Sequence, residues 1–252
     1  VVRRVASLPM AQWQLGRPSP ALVVLLAAGL LALLLPGLDR RWKRLAPAAI
    51  ALEAVLHLAA LRADPLLRVH PSGRDLLLAR HRGRAALVAL QADGFSCHQA
   101  RQLASGLGVS RFDWVLLLDP LAPSPPACWR EQAGLVLAAA DGSLPFHPGQ
   151  RLASPGLSAE PFASASRGLQ LVVGRRRWLL LPDPQDLWSW QREQRPLQAD
   201  GVWLGFRPRP RERHWLLAQA PARVWISGEA SGDFPAGWRA SGGSGSLQQA
   251  LG

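Results

Sequence analysis

Residues 103–120 read LASGLGVSRFDWVLLLDP, and the class of fold turns on them. Leu103 to Gly106 close a helix that starts near Ser96, a Leu-Gly-Val turn follows, and Asp113 to Asp119 is a short apolar run of the length and texture of a buried strand. Upstream, Arg74 to Leu90 (RDLLLARHRGRAALVAL) predicts a hairpin turning near Arg82-Gly83, so the order is strand, strand, helix, strand. Downstream, a Pro-rich loop from Pro120 to Pro126 leads into Trp129 to Ala140, and Asp141 to Gly168 is rich in Gly, Pro and Ser with little periodicity. Order resumes with a second hairpin, Leu169 to Val173 and Trp178 to Leu181 about a turn at Gly174 to Arg176. A helix at Gln185 to Arg195, a strand at Gly201 to Phe206, a helix near Glu212 to Ala218 and a strand at Arg223 to Ser227 complete a mixed α/β pattern. Ala240 to Ser246 (ASGGSGS) has the composition of a flexible tail, so residues 241–252 are set apart from a domain spanning 62–240.

Residues 1–61 have a different texture. Ala21 to Leu35 (ALVVLLAAGLLALLL) carries no charge and is bounded by Pro20 and Pro36. With its flanks it predicts a transmembrane helix over about 15–38. A basic cluster, Arg40-Arg41-Trp42-Lys43-Arg44, precedes a second apolar stretch, Leu45 to Leu61, which reads either as a second transmembrane helix over 45–61 or as an interfacial one. The positive-inside rule puts the basic loop in the cytoplasm and everything after about Arg62 on the other side of the membrane. Glu53 and His57 lie one turn apart on the second helix, as functional groups at membrane depth, as partners of helices outside this segment, or as residues near the interface. The chain starts at Val1 rather than at Met, which reads as a segment of a longer protein.

Lys plus Arg number 29 against 17 Asp plus Glu, a net charge of +12. That balance fits a polyanionic partner such as nucleic acid or lipid headgroups. It also fits a GC-rich coding bias, since Lys43 is the one lysine and Thr, Asn and Tyr are absent. Cys97 and Cys128 form no CxxC or Cys/His cluster, which leaves either one disulfide in an oxidising compartment or two small buried side chains. The six histidines, at 57, 70, 81, 98, 147 and 214, show no HxH, HxxH or HExxH spacing. Neither a G-x-S-x-G elbow nor a P-loop is present, so common hydrolase and nucleotide-binding classes find no motif.

Two stretches, Leu103 to Pro120 and Trp178 to Ser227, carry a family resemblance when taken with the apolar pair and its basic loop. Together they are similar to the C-terminal end of ComEC-type competence proteins, the membrane channels for incoming DNA, in which a transmembrane region precedes a metallo-β-lactamase-like domain. The resemblance covers nearly the whole chain. It implies an αββα sandwich preceded by two transmembrane helices, located in the inner membrane with the soluble domain on the extracytoplasmic side. Laid on this sequence, the family's HxHxDH metal motif falls on Asp119, Leu121, Pro123 and Ser124, with none of its histidines. The Leu-Leu-Thr-Gly-Asp strand end falls on Leu179-Leu180-Leu181-Pro182-Asp183, which keeps the carboxylate, and the His-His pair falls on Phe206 and Arg207. A dinuclear zinc site needs several imidazoles around an acidified water. The expectation is therefore a domain without a metal cofactor and without catalytic residues.

What is left points to binding. Arg175, Arg176 and Arg177 adjoin Trp178, while Arg207, Arg209, Arg211 and Arg213 lie near Trp203, Phe206 and Trp215. Guanidinium groups for phosphates and indoles for unpaired bases are the chemistry of single-strand tracking. The same residues also fit a buried aromatic core with a solvated rim. The resulting expectation is a non-catalytic module of a DNA-uptake channel that guides single-stranded DNA or stabilises the channel. It would contact membrane lipid and the channel's other transmembrane parts, and could form a homo-oligomer. The alternatives are a metal-dependent nuclease with a rearranged site and a purely structural membrane-assembly module.

Overall fold

The computed structural model describes residues 20–35, 40–61, 66–70, 75–118, 127–139, 144–163, 166–193, 196–228, 234–244 and 247–250. The chain divides into two compact units, Val1–Ala63 with Ala104–Ser110, and Asp64–Leu103 with Arg111–Gly252.

The first unit contains two helices that pack on one another, α1 (Pro20–Leu34) and α2 (Arg40–Leu61). The basic cluster is not a loop: Arg40 to Arg44 form the opening turns of α2. The expectation of two membrane-spanning helices is not met by the described residues, among which no helix is long and apolar enough to cross a membrane. The 15 residues of α1 reach about 22 Å at 1.5 Å per residue, short of a core of about 30 Å. The flanks assigned to that span, 15–19 and 36–38, lie outside the described residues. Even so, both helices expose apolar side chains. Val24, Leu30, Leu31 and Leu34 on α1 and Leu52, Val55 and Leu56 on α2 are all more than half exposed.

The second unit has the expected mixed α/β class, built on two sheets. One sheet has six strands, running from an edge strand β13 (Leu247–Ala250) through β1 (Leu66–His70) to four further strands, and the other has seven. In the first, β2 (Leu76–His81) and β3 (Arg84–Ala89) form the expected hairpin. Its two-residue turn puts Arg82 at φ 49 and Gly83 at φ 73, the left-handed pair that matches the twist of a tight hairpin. The crossover helix α3 (Gly94–Gly106) then returns the chain to β4 (Phe112–Leu117), parallel to β3. A short helix α4 (Ala127–Gln132) feeds β5 (Ala133–Ala138), parallel to β4. In the second sheet β6 (Leu152–Ser154), β7 (Leu157–Pro161), β8 (Leu169–Val173) and β9 (Arg176–Leu181) form an antiparallel meander. From β9 onward the strands are parallel: α5 (Pro184–Arg192) leads to β10 (Gly201–Leu204), and α6 (Pro210–Ala218) to β11 (Val224–Ile226) and then β12 (Trp238–Ala240).

Strand alternation explains how the sheets meet. Leu77 and Ala79, Ala86 and Val88, and Trp114 and Leu116 from the first sheet share one buried cluster with Leu169, Leu171, Trp178, Leu180, Trp203 and Trp225 from the second. The intervening residues of the second sheet, Leu179, Leu181, Val202, Leu204, Val224 and Ile226, form another cluster with Leu187 and Trp190 of α5 and Leu216 of α6. Strands buried on both faces read as unbroken apolar runs, as Leu179-Leu180-Leu181 and Val202-Trp203-Leu204 do. On the first sheet's outer face Leu76, Leu78, Leu87, Val115 and Leu117 are buried too, as are Cys97 and Ala100 of α3 and Trp129 of α4. A disulfide joins Cys97 to Cys128, and so ties α3 to α4.

Two regions depart from expectation. The unpatterned stretch 141–168 contains the β6–β7 hairpin, and the described residues of the expected flexible tail carry secondary structure. Ser241–Ser244 makes one helical turn, α7, and β13 (Leu247–Ala250) pairs antiparallel with β1 (Leu66–His70) at the edge of the first sheet.

Candidate functional site

Parallel pairing gathers several chain segments at one end of the sandwich. Leu118 follows β4, Pro182 and Asp183 follow β9, Gly205 to Arg207 follow β10 and Ser227 follows β11. Asp75 arrives at the same end, because β2 runs antiparallel to β3 and Leu76 pairs with Ala89. This is the end at which open α/β sheets offer a crevice. Backbones approach closely there: Gly205 N–H donates to Leu181 O at 2.8 Å, and a Cβ at 205 would lie 2.3 Å from Pro182 O. Only glycine fits.

Two polar clamps tie the sheets together at this end. In the first, Asp183 is the N-cap of α5: its Oδ1 accepts from Gln185 N–H at 2.8 Å and from Asp186 N–H at 3.3 Å, with Pro184 in the first turn. Asp186 returns the favour by accepting from Asp183 N–H at 3.0 Å, closing a capping box. Its other oxygen accepts from Ser166 Oγ at 2.6 Å, Arg167 N–H at 2.9 Å and Gly168 N–H at 3.1 Å. Arg167 then spans the sheets. One guanidinium nitrogen donates to Leu118 O at 2.7 Å, and the other is ion-paired with Asp183 Oδ2. Burial pushes the Asp186 carboxyl above its ordinary value, against the pull of Ser166 and with the push of the Asp183 charge.

In the second clamp Asp75, buried at the start of β2, accepts from Ser227 Oγ at 2.6 Å and Ser241 Oγ at 3.2 Å, and Ser241 Oγ itself accepts from Gly228 N–H at 3.0 Å. Burial raises this carboxyl too, while the two serine hydroxyls work in the opposite direction.

The side chains described at this end do not suit a metal. Both oxygens of Asp183 are committed, to a helix N-terminus and to a guanidinium, and Arg207 adds a second cation where the resemblance places half of a His pair. Among the described residues no group of three or more His, Cys, Asp or Glu is arranged to hold a metal ion. Asp119, Leu121, Pro123 and Ser124 lie outside the described residues.

The residues singled out for DNA binding are not brought together. Arg175, Arg176 and Arg177 are exposed at the amino end of β9, whereas Arg207, Arg209 and Arg211 are exposed beyond the carboxyl end of β10. Since β9 and β10 are parallel, the two clusters sit at opposite ends of the sheet. Arg176 pairs with Asp200 at 2.8 Å, and Arg177 N–H donates to the same carboxylate at 2.8 Å. Arg213 is half-buried, its guanidinium 5.8 Å from the Phe234 ring centre. Trp178 and Trp203 need correction: both are 0% exposed, inside the sandwich, where no base can reach them. The aromatic and basic residues are neighbours in sequence, but the arginines lie at or beyond strand ends, where they meet solvent, whereas Trp178 and Trp203 lie within strands and face the core between the sheets. Arg167, which sequence reasoning missed, lies in the unpatterned stretch and carries no local signal; only the tertiary fold gives it Leu118 and Asp183.

No protein-family model matches the chain, and no curated protein matches it. Among solved structures the chain is similar to zinc-bound PqqB from Methylobacterium extorquens, with 13% identity over 52% of this chain and a TM-score of 0.32; the chain spans only 56% of that protein. It is also similar to the metallo-β-lactamase fold protein YhfI from Bacillus subtilis, with 9% identity, 65% of this chain, 86% of that one and a TM-score of 0.40. A diphosphatase of the PhnP family gives 9% identity, 71% and 85% coverage and a TM-score of 0.41.

Proposed function

We propose that the second unit is a metallo-β-lactamase-like sandwich that binds rather than hydrolyses, serving a ComEC-type DNA-uptake channel by guiding single-stranded DNA. One observation carries the non-hydrolytic part: Asp183, the surviving carboxylate of the resemblance, is consumed as an N-cap and as the partner of Arg167. A guanidinium placed there supplies permanently the positive charge that this carboxylate would otherwise attract. The exposed arginines beyond β10 supply phosphate-binding capacity on the same end of the fold. The apolar surface of α1 and α2 supports attachment to a membrane, in its plane or within it. The Cys97–Cys128 disulfide supports an extracytoplasmic, oxidising location for the domain.

Metal analysis of the purified chain, run beside a single-stranded DNA titration at several salt concentrations, tests this reading. The expected result is no stoichiometric metal and an affinity that falls steeply with salt, because each phosphate contact releases a counterion. Stoichiometric zinc or manganese would replace the reading with a nuclease. Neither metal nor DNA binding would leave a structural assembly module.

A further inference from the structure

The arginines beyond β10 lack the aromatic partner that sequence adjacency suggested, but the fold supplies another. Among the tryptophans whose side chains are described, Trp188 on α5 is the exposed one at 45%; Trp215 is half-buried and the others are buried. Its ring is held in place: Trp188 Nε1 donates to Glu212 Oε1 of α6 at 3.3 Å, while Glu212 Oε2 accepts from Arg209 N–H at 2.7 Å. Glu212 is buried, so it acts as an internal brace that fixes an exposed indole beside the first turn of α6. That turn carries the exposed Arg209 and Arg211. Arginines at the amino end of a helix oppose its macrodipole, and Arg209 makes no side-chain capping bond there, so helix stability does not explain them.

We infer that Trp188, with Arg209 and Arg211, forms a stacking site for unpaired bases of a single nucleic-acid strand, the indole face taking a base and the guanidinium groups the flanking phosphates. The inference rests on the DNA-guiding reading and names its aromatic contact. A fixed ring with a solvent-facing surface is pre-organised for stacking, which every base tolerates and a closed duplex does not offer. Membrane insertion fits less well, since it would draw toward lipid an indole whose N–H is tied to a carboxylate.

The test uses the full chain in detergent and fluorescence anisotropy with labelled oligothymidine and a labelled duplex. Trp188→Ala is expected to weaken oligothymidine binding about tenfold and leave duplex binding unchanged. Trp188→Phe should restore most of the loss and Trp188→Leu should not, which separates stacking from bulk and from folding. If the parent binds the oligonucleotide and Trp188→Ala binds it equally well, the inference falls while DNA guiding stands. If the parent binds no DNA, both fall. A loss seen on phosphatidylglycerol vesicles instead of the oligonucleotide would overturn the inference in favour of a lipid contact.

Discussion

The two ends of the sandwich handle charge in opposite ways. At the amino ends of the strands, Arg84 meets Asp113 at 3.1 Å and Arg176 meets Asp200 at 2.8 Å, with side chains between 20% and 55% exposed. At the carboxyl ends, Asp75 and Asp186 are buried under serine hydroxyls and backbone N–H groups, and Arg167 bridges the two sheets. Pairs of the first kind are screened by water and are worth about 0–1 kcal/mol each. Networks of the second kind are costly to leave half-satisfied. A run of three arginines looked more functional than a lone one in an irregular stretch, yet the lone one is built into the fold.

The sharpest way to break this contrast is at Trp178, one residue beyond the arginine run. If it belongs to the core, Trp178→Ala should cost about 3–5 kcal/mol in urea unfolding. If the amino end were a binding surface, the same change would lower DNA affinity and spare stability. Next comes Asp186→Ala, which strips the acceptor from Ser166 and from the N–H groups of Asp183, Arg167 and Gly168. A loss of about 3 kcal/mol is expected, read from the unfolding midpoint at constant slope. A loss below about 1 kcal/mol would erase the distinction between the two ends.

Acid titration sharpens the contrast by sign. Asp75 and Asp186 have folded-state values raised above 3.8, so the stability they contribute is complete below that pH and is lost as pH rises through the raised values. The melting temperature of the parent relative to Asp75→Asn should therefore climb as pH falls from 7 toward 4. Asp200 behaves in reverse. Desolvation would raise its carboxyl, but the N–H of Arg177 and the Arg176 and Arg223 guanidinium groups outweigh it and hold it below 3.8. Its contribution is present above that value and disappears as pH falls through the lowered one. Because the pair is solvated, Asp200→Asn should cost well under 1 kcal/mol near neutral pH, the smallest of these effects.

Much of the second unit was legible because its central strands are buried on both faces. Runs such as Leu76-Leu77-Leu78 and Leu179-Leu180-Leu181, bounded by turns, announce themselves. The β6–β7 hairpin did not: Leu152–Ser154 and Leu157–Pro161 are short and contain Ser, Glu and Pro, and their extended form goes with pairing, β7 to β8 and β6 to β7. The helical pair was legible as apolar, but α1 stops at Leu34 within the described residues. At the candidate site Asp183 could be found from its strand-end position. Trp188 could not, because what marks it is its exposure, and a tryptophan in an amphipathic helix reads as core.

The pairing of β1 with β13 also sets an order in time. Leu66 finds its partner at Ala250, so the first strand of the sandwich cannot be flanked on that edge until the last one has been made. A nascent chain would therefore expose an open strand edge throughout synthesis of the domain, a period in which such edges invite association with other chains. Closing the edge is the slow, long-range step that topology predicts, and truncation before residue 247 would leave the edge permanently open.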